Sequence, residues 1–222
     1  MPVTTKEDIK KDILDSYYWD ARIDASDITV MVTDNGVVTL EGTVPSAQGH
    51  DAAKSMAWSV PGVTQVKDRL SVKFNRGIAL PADTDIREAI EQGLRWSPDV
   101  GEENINVVVD SSVVVLEGTV ASYWEKDRAE DIAMNRIGVI EVRNRLAVVP
   151  TKTEHDRAVA ESIESAFARS FHIDEDAIDV KVADGDVTLT GEVSDTRAFN
   201  EAADLVRITA GVVSIDNQLT VQ

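Results

Sequence analysis

The stretch VVTLEGTV at residues 37–44 returns as VVVLEGTV at 113–120 and, altered, as VTLTGEV at 187–193. In each copy apolar and polar residues alternate, the period-2 pattern of a strand with one buried face. In each copy a glycine (Gly42, Gly118, Gly191) also falls in the inward phase, where a core side chain belongs. Glycine weakens a strand, and inside one it marks a bulge or a close approach. The pattern predicts that a helix crosses the sheet at this point and lies flush on it.

The repeat extends in both directions. Gly62, Gly138 and Gly211 each lie 20 residues beyond the strand glycine, and each is followed by valine. Then come Asp68, Asn144 and Asn217; Leu70, Leu146 and Leu219; Val72, Val148 and Val221. The period is 76 and then 73 residues, the size of a small domain and too long for a solenoid repeat. Upstream, Ile28-Val30-Val32, Ile105-Val107-Val109 and Ile178-Val180-Val182 alternate as a preceding strand. Before them Ile9-Ile13-Tyr17, Ile86-Ile90-Leu94 and Val159-Ile163-Phe167 have the i, i+4, i+8 spacing of one helix face. A second helix follows the glycine strand, with Ser46, Ser122 and Asp195 as N-caps. SYWE at 122–125 reads as a capping box, and Gly62, Gly138 and Gly211 read as C′ glycines ending that helix.

Each unit therefore reads helix–strand–strand–helix–strand. The fold class is α+β: three tandem αββαβ units, each a three-stranded mixed sheet with two helices on one face. The first two strands form an antiparallel hairpin, and the crossover helix makes the third strand parallel to the second. The units are expected at 1–75, 82–149 and 153–222. Asp68, Asn144 and Asn217 share the inward parity of Leu70 and Val72 although they are polar. They are expected to tie the start of the third strand to backbone groups.

Composition narrows the chemistry. The chain has 222 residues and no cysteine, which excludes disulfides, thiolate metal sites and cysteine nucleophiles. No phosphate loop, nucleophile elbow or HExxH motif occurs. The three histidines, His50, His155 and His172, lack metal-ligand spacing. No catalytic residue, cofactor or metal is expected, and the chain is not read as an enzyme. Net charge is −18, unevenly spread: −2 over 1–76, −7 over 77–150 and −9 over 151–222. Such a surface repels nucleic acid and, as a whole, anionic lipid. No apolar run reaches the ~20 residues of a membrane-spanning helix. The first residues lack an export signal, so the sequence as it stands reads as cytoplasmic, or as periplasmic had a signal been removed.

These marks together resemble the BON domain, named for bacterial osmotically inducible and nodulation proteins. Its closing motif G-V-x-x-V-x-N/D-x-L-x-V is similar to GVTQVKDRLSV (62–72), GVIEVRNRLAV (138–148) and GVVSIDNQLTV (211–221). The resemblance covers nearly the whole chain. It implies the αββαβ fold and a non-enzymatic role in envelope or osmotic stress, with phospholipid surfaces as the proposed ligand. Ion sensing of a potassium type is also known in such a family. The competing reading is a protein–protein assembly module that never touches lipid.

Three sets of residues are candidates for contact. Lys67, Arg69 and Lys73 on the outward phase of the last strand of the first unit, Arg76 just beyond it, and Lys10 and Lys11 on its first helix suit an anionic partner. Val108, Val113 and Val115 make the outer sheet face of the middle unit alone mainly aliphatic, an interface with a neighbouring unit or a second chain. Tyr123 and Trp124 open the second helix of that unit and suit the same role. Trp19 and Trp96, at equivalent positions, are expected to cap a core edge. Acidic clusters Asp99-Glu102-Glu103 and Asp174-Glu175-Asp176 read as solvated loops. Units of ~70 residues hold small cores, so intramolecular packing or a homo-oligomer is expected.

Overall fold

The computed structural model describes residues 5–74, 77, 79–101, 104–150 and 156–221. The first unit runs α1 (Lys6–Trp19), β1 (Ile28–Val32), β2 (Val37–Val44), α2 (Ala47–Trp58) and β3 (Gln65–Val72). The second runs α3 (Asp83–Trp96), β4 (Ile105–Asp110), β5 (Val113–Val120), α4 (Tyr123–Met134) and β6 (Glu141–Val148). The third runs α5 (Asp156–Phe167), β7 (Ile178–Ala183), β8 (Asp186–Val193), α6 (Thr196–Arg207) and β9 (Ser214–Val221). There are three separate sheets, each with the glycine strand in the middle. Its partner is antiparallel on the hairpin side and parallel on the crossover side.

The alternation decides which face is covered. In β2, Val38, Leu40 and Val44 are buried, and they meet Ile9, Ile13 and Tyr17 of α1 and Ala53 and Ala57 of α2 in one core. The other two units repeat this arrangement around Leu116 and Leu189. In the first unit the Tyr17 hydroxyl donates to the Ala53 carbonyl at 2.7 Å and so ties the two helices together. Burial pushes that phenol above its ordinary range.

The strand glycines are structural, but the element they make room for is not a helix. Gly42, Gly118 and Gly191 have φ of +129°, +124° and +132°, where L side chains are strained. A Cβ there would run into a backbone carbonyl oxygen of the hairpin partner: Asp27, Asn104 and Ala177 respectively. The segment leading into the first strand thus lies directly against the glycine strand, opposite the pairs Ile28–Gly42, Ile105–Gly118 and Ile178–Gly191.

The second glycine set also differs from expectation. The second helices end at Trp58, Met134 and Arg207, well before Gly62, Gly138 and Gly211, which are therefore not C′ residues. They occupy the third place of a tight turn closed by Val63 N to Val60 O at 3.2 Å, Val139 N to Arg136 O at 3.3 Å and Val212 N to Thr209 O at 3.4 Å. A positive φ at that place is what a type II turn requires. Ser46, Ser122 and Asp195 do cap their helices, accepting from Gly49, Glu125 and Ala198 amides. Glu125, however, reaches back to the Ala121 amide rather than to that of its cap residue.

The hairpin tips carry a contact with the first helix of their own unit. In the middle unit Asp83, the first residue of α3, accepts from Ser111 N at 2.8 Å and Ser112 N at 2.9 Å. In the third, Asp156 at the start of α5 accepts from Asp184 N and Gly185 N, both at 3.0 Å. In the first unit Lys6 pairs with Asp34 at 2.8 Å instead. Ser111 and Ser112 both have positive φ, +52° and +65°, a conformation costing L residues roughly 1–2 kcal/mol. Ser112→Gly is therefore expected to raise the unfolding free energy by about 1 kcal/mol. Asp83→Ala is expected to lower it by roughly 1 kcal/mol. Urea unfolding followed by circular dichroism checks both.

Candidate functional site

Two regions gather side chains that the folding of a single unit does not require. The first is the junction of the second helices. Ala47, Tyr123 and Thr196 are the first residues of α2, α4 and α6. Ala47 belongs to the core of the middle unit, not its own. Tyr123 packs against the cores of both the middle and third units. Thr196 is the one polar side chain among the described residues that is fully buried. Trp58 of α2 meets Phe199 of α6 edge-on, with ring centroids 5.1 Å apart. Each unit thus touches the other two.

The polar residue of the third strand faces this junction from below. Asp68, Asn144 and Asn217 lie in mid-strand, and each accepts from the amide two residues on: Leu70 at 3.0 Å, Leu146 at 3.2 Å and Leu219 at 3.1 Å. Their second polar atom reaches toward the second helix. Asp68 meets His50 Nε2 at 3.0 Å. Asn144 Nδ2 donates to Lys126 O at 2.9 Å and to a Glu130 carboxylate oxygen at 3.0 Å. In the third unit Phe199 stands at the place of His50 and Lys126, and Asn217 Nδ2 has no hydrogen-bond partner among the described residues.

Burial raises the Glu130 carboxyl above its usual range, opposed by the Asn144 bond and reinforced by Asp127, Asp131 and, from the first unit, Asp51. Asp131 is raised for the same first reason, with Asp127 and Asp51 adding to it and Arg128 and Arg207 opposing. Folded Glu130 therefore holds a proton more tightly than the unfolded chain does. Its charge weakens folding as pH rises through that range, and the penalty is relieved as pH falls. Glu130→Gln keeps an acceptor for Asn144 and removes the charge. It is expected to melt higher than the parent near pH ~7, with the difference shrinking below the ordinary carboxylate pKa of ~4.3. Calorimetric scans at both pH values check this.

The second region is the outer end of the first helices. Trp19 and Trp96, the last residues of α1 and α3, are each 83% exposed. They do not cap a core edge, because Tyr17 and Leu94 two residues earlier already close it. Tyr18 is 79% exposed and stacks edge-on against Trp19. The third unit has Arg169 at the equivalent place, but Phe171 two residues on is fully exposed. On α1 Leu14, Lys10 and Lys11 are exposed as well and lie on the helix face of Tyr18.

The basic residues of the first unit do not form one patch. Lys67 and Arg69 lie on the outer sheet face, paired in register with Thr39 and Glu41, and Arg69 is held by Glu41 at 2.8 Å. Lys10 and Lys11 sit on α1, across the sheet from them. Lys73 is exposed just past β3. Arg76, Glu102, Glu103 and His155 lie outside the described residues. Val108 (44% exposed) and the half-buried Val113 and Val115 occupy the outer sheet face of the middle unit, outside all three cores. Trp124 is exposed, unlike its neighbour Tyr123. Among the described residues no group of three or more His, Asp or Glu side chains is placed to hold a metal ion. No helix there is long and apolar enough to cross a membrane.

The BON domain pattern matches three times, at residues 5–73, 82–150 and 155–222. The chain belongs to the BON domain family, as a tandem array of three. It is 37% identical over 127 residues to osmotically-inducible protein Y of Escherichia coli K12, covering 56% of this chain and 63% of that protein. It is 28% identical over 113 residues to a 21 kDa hemolysin of Actinobacillus pleuropneumoniae, covering 50% of this chain and 58% of that one. It thus spans less than two thirds of the length of both curated relatives. The C-terminal domain of CdsD, a structural protein of the Chlamydia trachomatis type III secretion system, aligns over 97% of this chain at 14% identity and a TM-score of 0.27. So distant a likeness bears on neither fold nor function.

Proposed function

We propose that this chain is a non-catalytic, stress-linked binding protein that docks on anionic phospholipid surfaces through the outer ends of its first helices. The observation that carries this reading is the repeated exposed aromatic: Tyr18 and Trp19, Trp96, and Phe171, one site per unit. Tyrosine and tryptophan favour the boundary between lipid headgroups and acyl chains, where one side of the ring is apolar and the other wet. In α1 Tyr18 shares a face with Leu14, Lys10 and Lys11, the arrangement of a helix lying in the membrane surface, and Trp19 stacks on Tyr18 at its end. The first unit is also the least acidic of the three, at −2 in a chain of −18. Contact therefore begins there, because the other two repel an anionic surface at longer range. The likeness to an osmotically inducible protein supports the stress-linked part of the reading.

A second reading, assembly of copies without lipid, has its own observation. Val108, Val113 and Val115 leave an aliphatic outer face on the middle unit, which has no equivalent on the third. Vesicle flotation separates the two. The protein is expected to float with phosphatidylglycerol-containing vesicles and only weakly with phosphatidylcholine alone. Replacing Tyr18 and Trp19 together by serine is expected to reduce the floated fraction at least ~10-fold, and Lys10→Glu with Lys11→Glu to abolish the preference for anionic lipid. Equal flotation of all three proteins, or none at any salt concentration, overturns the lipid reading. Val115→Glu is expected to leave flotation unchanged; should it alone alter behaviour, by changing the molecular mass in solution, the assembly reading takes its place.

A further inference from the structure

The junction of the second helices encloses a cleft of about 450 Å³, within the ~300–1,000 Å³ usual for small-molecule sites. All three units line it: Trp58 from the first, Tyr123 from the second, and Phe199, Asp204, Arg207 and Asn217 from the third. Trp58, Phe199 and Tyr123 supply flat apolar walls. Arg207 donates to Asp204 at 3.1 Å on the rim, giving a carboxylate and a guanidinium already oriented by each other. Asn217 contributes an amide whose oxygen is committed to Leu219 N at 3.1 Å. Its Nδ2 is thereby turned away from the strand and, shielded from solvent, meets no acceptor among the described residues.

The same place is filled in the middle unit. There Glu130 and the Lys126 carbonyl accept from Asn144. Alanine, Ala203, replaces Glu130 at the equivalent place of α6, one period of 73 residues on. The substitution opens the cleft and removes the side-chain acceptor, and no other acceptor among the described residues takes its place. A buried donor left without an acceptor costs roughly 1–3 kcal/mol, so the third unit keeps Asn217 against its own stability.

The charges at the cleft select among ligands. An anion would face Asp204, with Asp51 and Asp131 nearby in a strongly acidic chain; a cation would face Arg207. A purely apolar ligand would bury the rim pair and the amide without satisfying them. A neutral ring with a flat C–H face and several hydroxyls fits all three demands. Its face lies on the aromatic walls, its hydroxyls donate to Asp204, and a hydroxyl oxygen accepts from Arg207 and Asn217. We propose that this three-unit cleft binds a small neutral saccharide. Because Asn217 Nδ2 lies at the shielded floor, engagement includes a small rotation of an aromatic wall residue, a common response at binding sites.

Saturation-transfer difference NMR and titration calorimetry on the full chain test this, with glucose, N-acetylglucosamine, maltose and trehalose as probes and acetate and choline as charged controls. At least one saccharide is expected to bind and neither control. Ala203→Glu copies the middle unit's own arrangement; it is expected to weaken saccharide binding at least ~10-fold. Asn217→Ala, which removes only the floor donor, is expected to weaken binding by a similar factor, and it keeps the test open if the first variant folds poorly. The proposal is overturned if no saccharide gives a signal, if acetate or choline binds instead, or if binding is unchanged in both variants.

Discussion

A carbonyl oxygen pressed against a strand that has no side chain at that point sets the shape of each unit. Asp27, Asn104 and Ala177 supply the oxygen; Gly42, Gly118 and Gly191 supply the gap. The oxygen belongs to the segment that joins the end of the first helix to the first strand. Holding that segment on the sheet sets the first strand opposite the glycine in all three units. The core residues Tyr17, Leu94 and Phe167 are drawn inward there. Their neighbours Tyr18, Trp19 and Trp96 are left outside.

Repetition with local departure accounts for the rest. The three units share sheet order, register and the caps of their second helices, so the informative residues are those at which one copy differs from the others. His50, Lys126 and Phe199 occupy one helix position, and Lys54, Glu130 and Ala203 another. These choices leave the middle unit with a satisfied polar seam and the third with an open one. Ala47, Tyr123 and Thr196 likewise occupy one position; Ala47 and Tyr123 turn it toward neighbouring units, and Thr196 is buried. Small cores of about 70 residues are marginal alone, and shared side chains at the junction let each unit draw apolar cover from the other two.

The fold was legible in the sequence because period-2 and period-3.6 patterns are recorded by many residues at once. Sheet order followed from the hairpin turns and from a crossover helix too long for anything but parallel pairing. What the sequence did not disclose was which atom the strand glycine accommodates, since a missing side chain is silent about its neighbour. The exposure of Trp19 and Trp96 also went unread: apolar residues next to a helical core face look the same whether they close the core or overhang it. The ties from Asp83 and Asp156 to the hairpin tips left a signal, an aspartate at the same place in two copies with Lys6 facing an acidic tip in the first unit, that only becomes meaningful once the tip lies beside the helix.

The most direct test of this account compares glycine-to-alanine changes by urea unfolding. Gly42, Gly118 and Gly191 combine a positive φ with a carbonyl in the way, whereas Gly77 has a positive φ of +96° and, among the described residues, nothing within 4 Å of where a Cβ would stand. If the carbonyl contact governs each unit, Gly42→Ala, Gly118→Ala and Gly191→Ala each cost roughly 3 kcal/mol or more, and Gly77→Ala only about 1 kcal/mol. Equal costs at all four positions would mean that backbone conformation alone accounts for these glycines, and the close approach would lose its place at the centre of the fold.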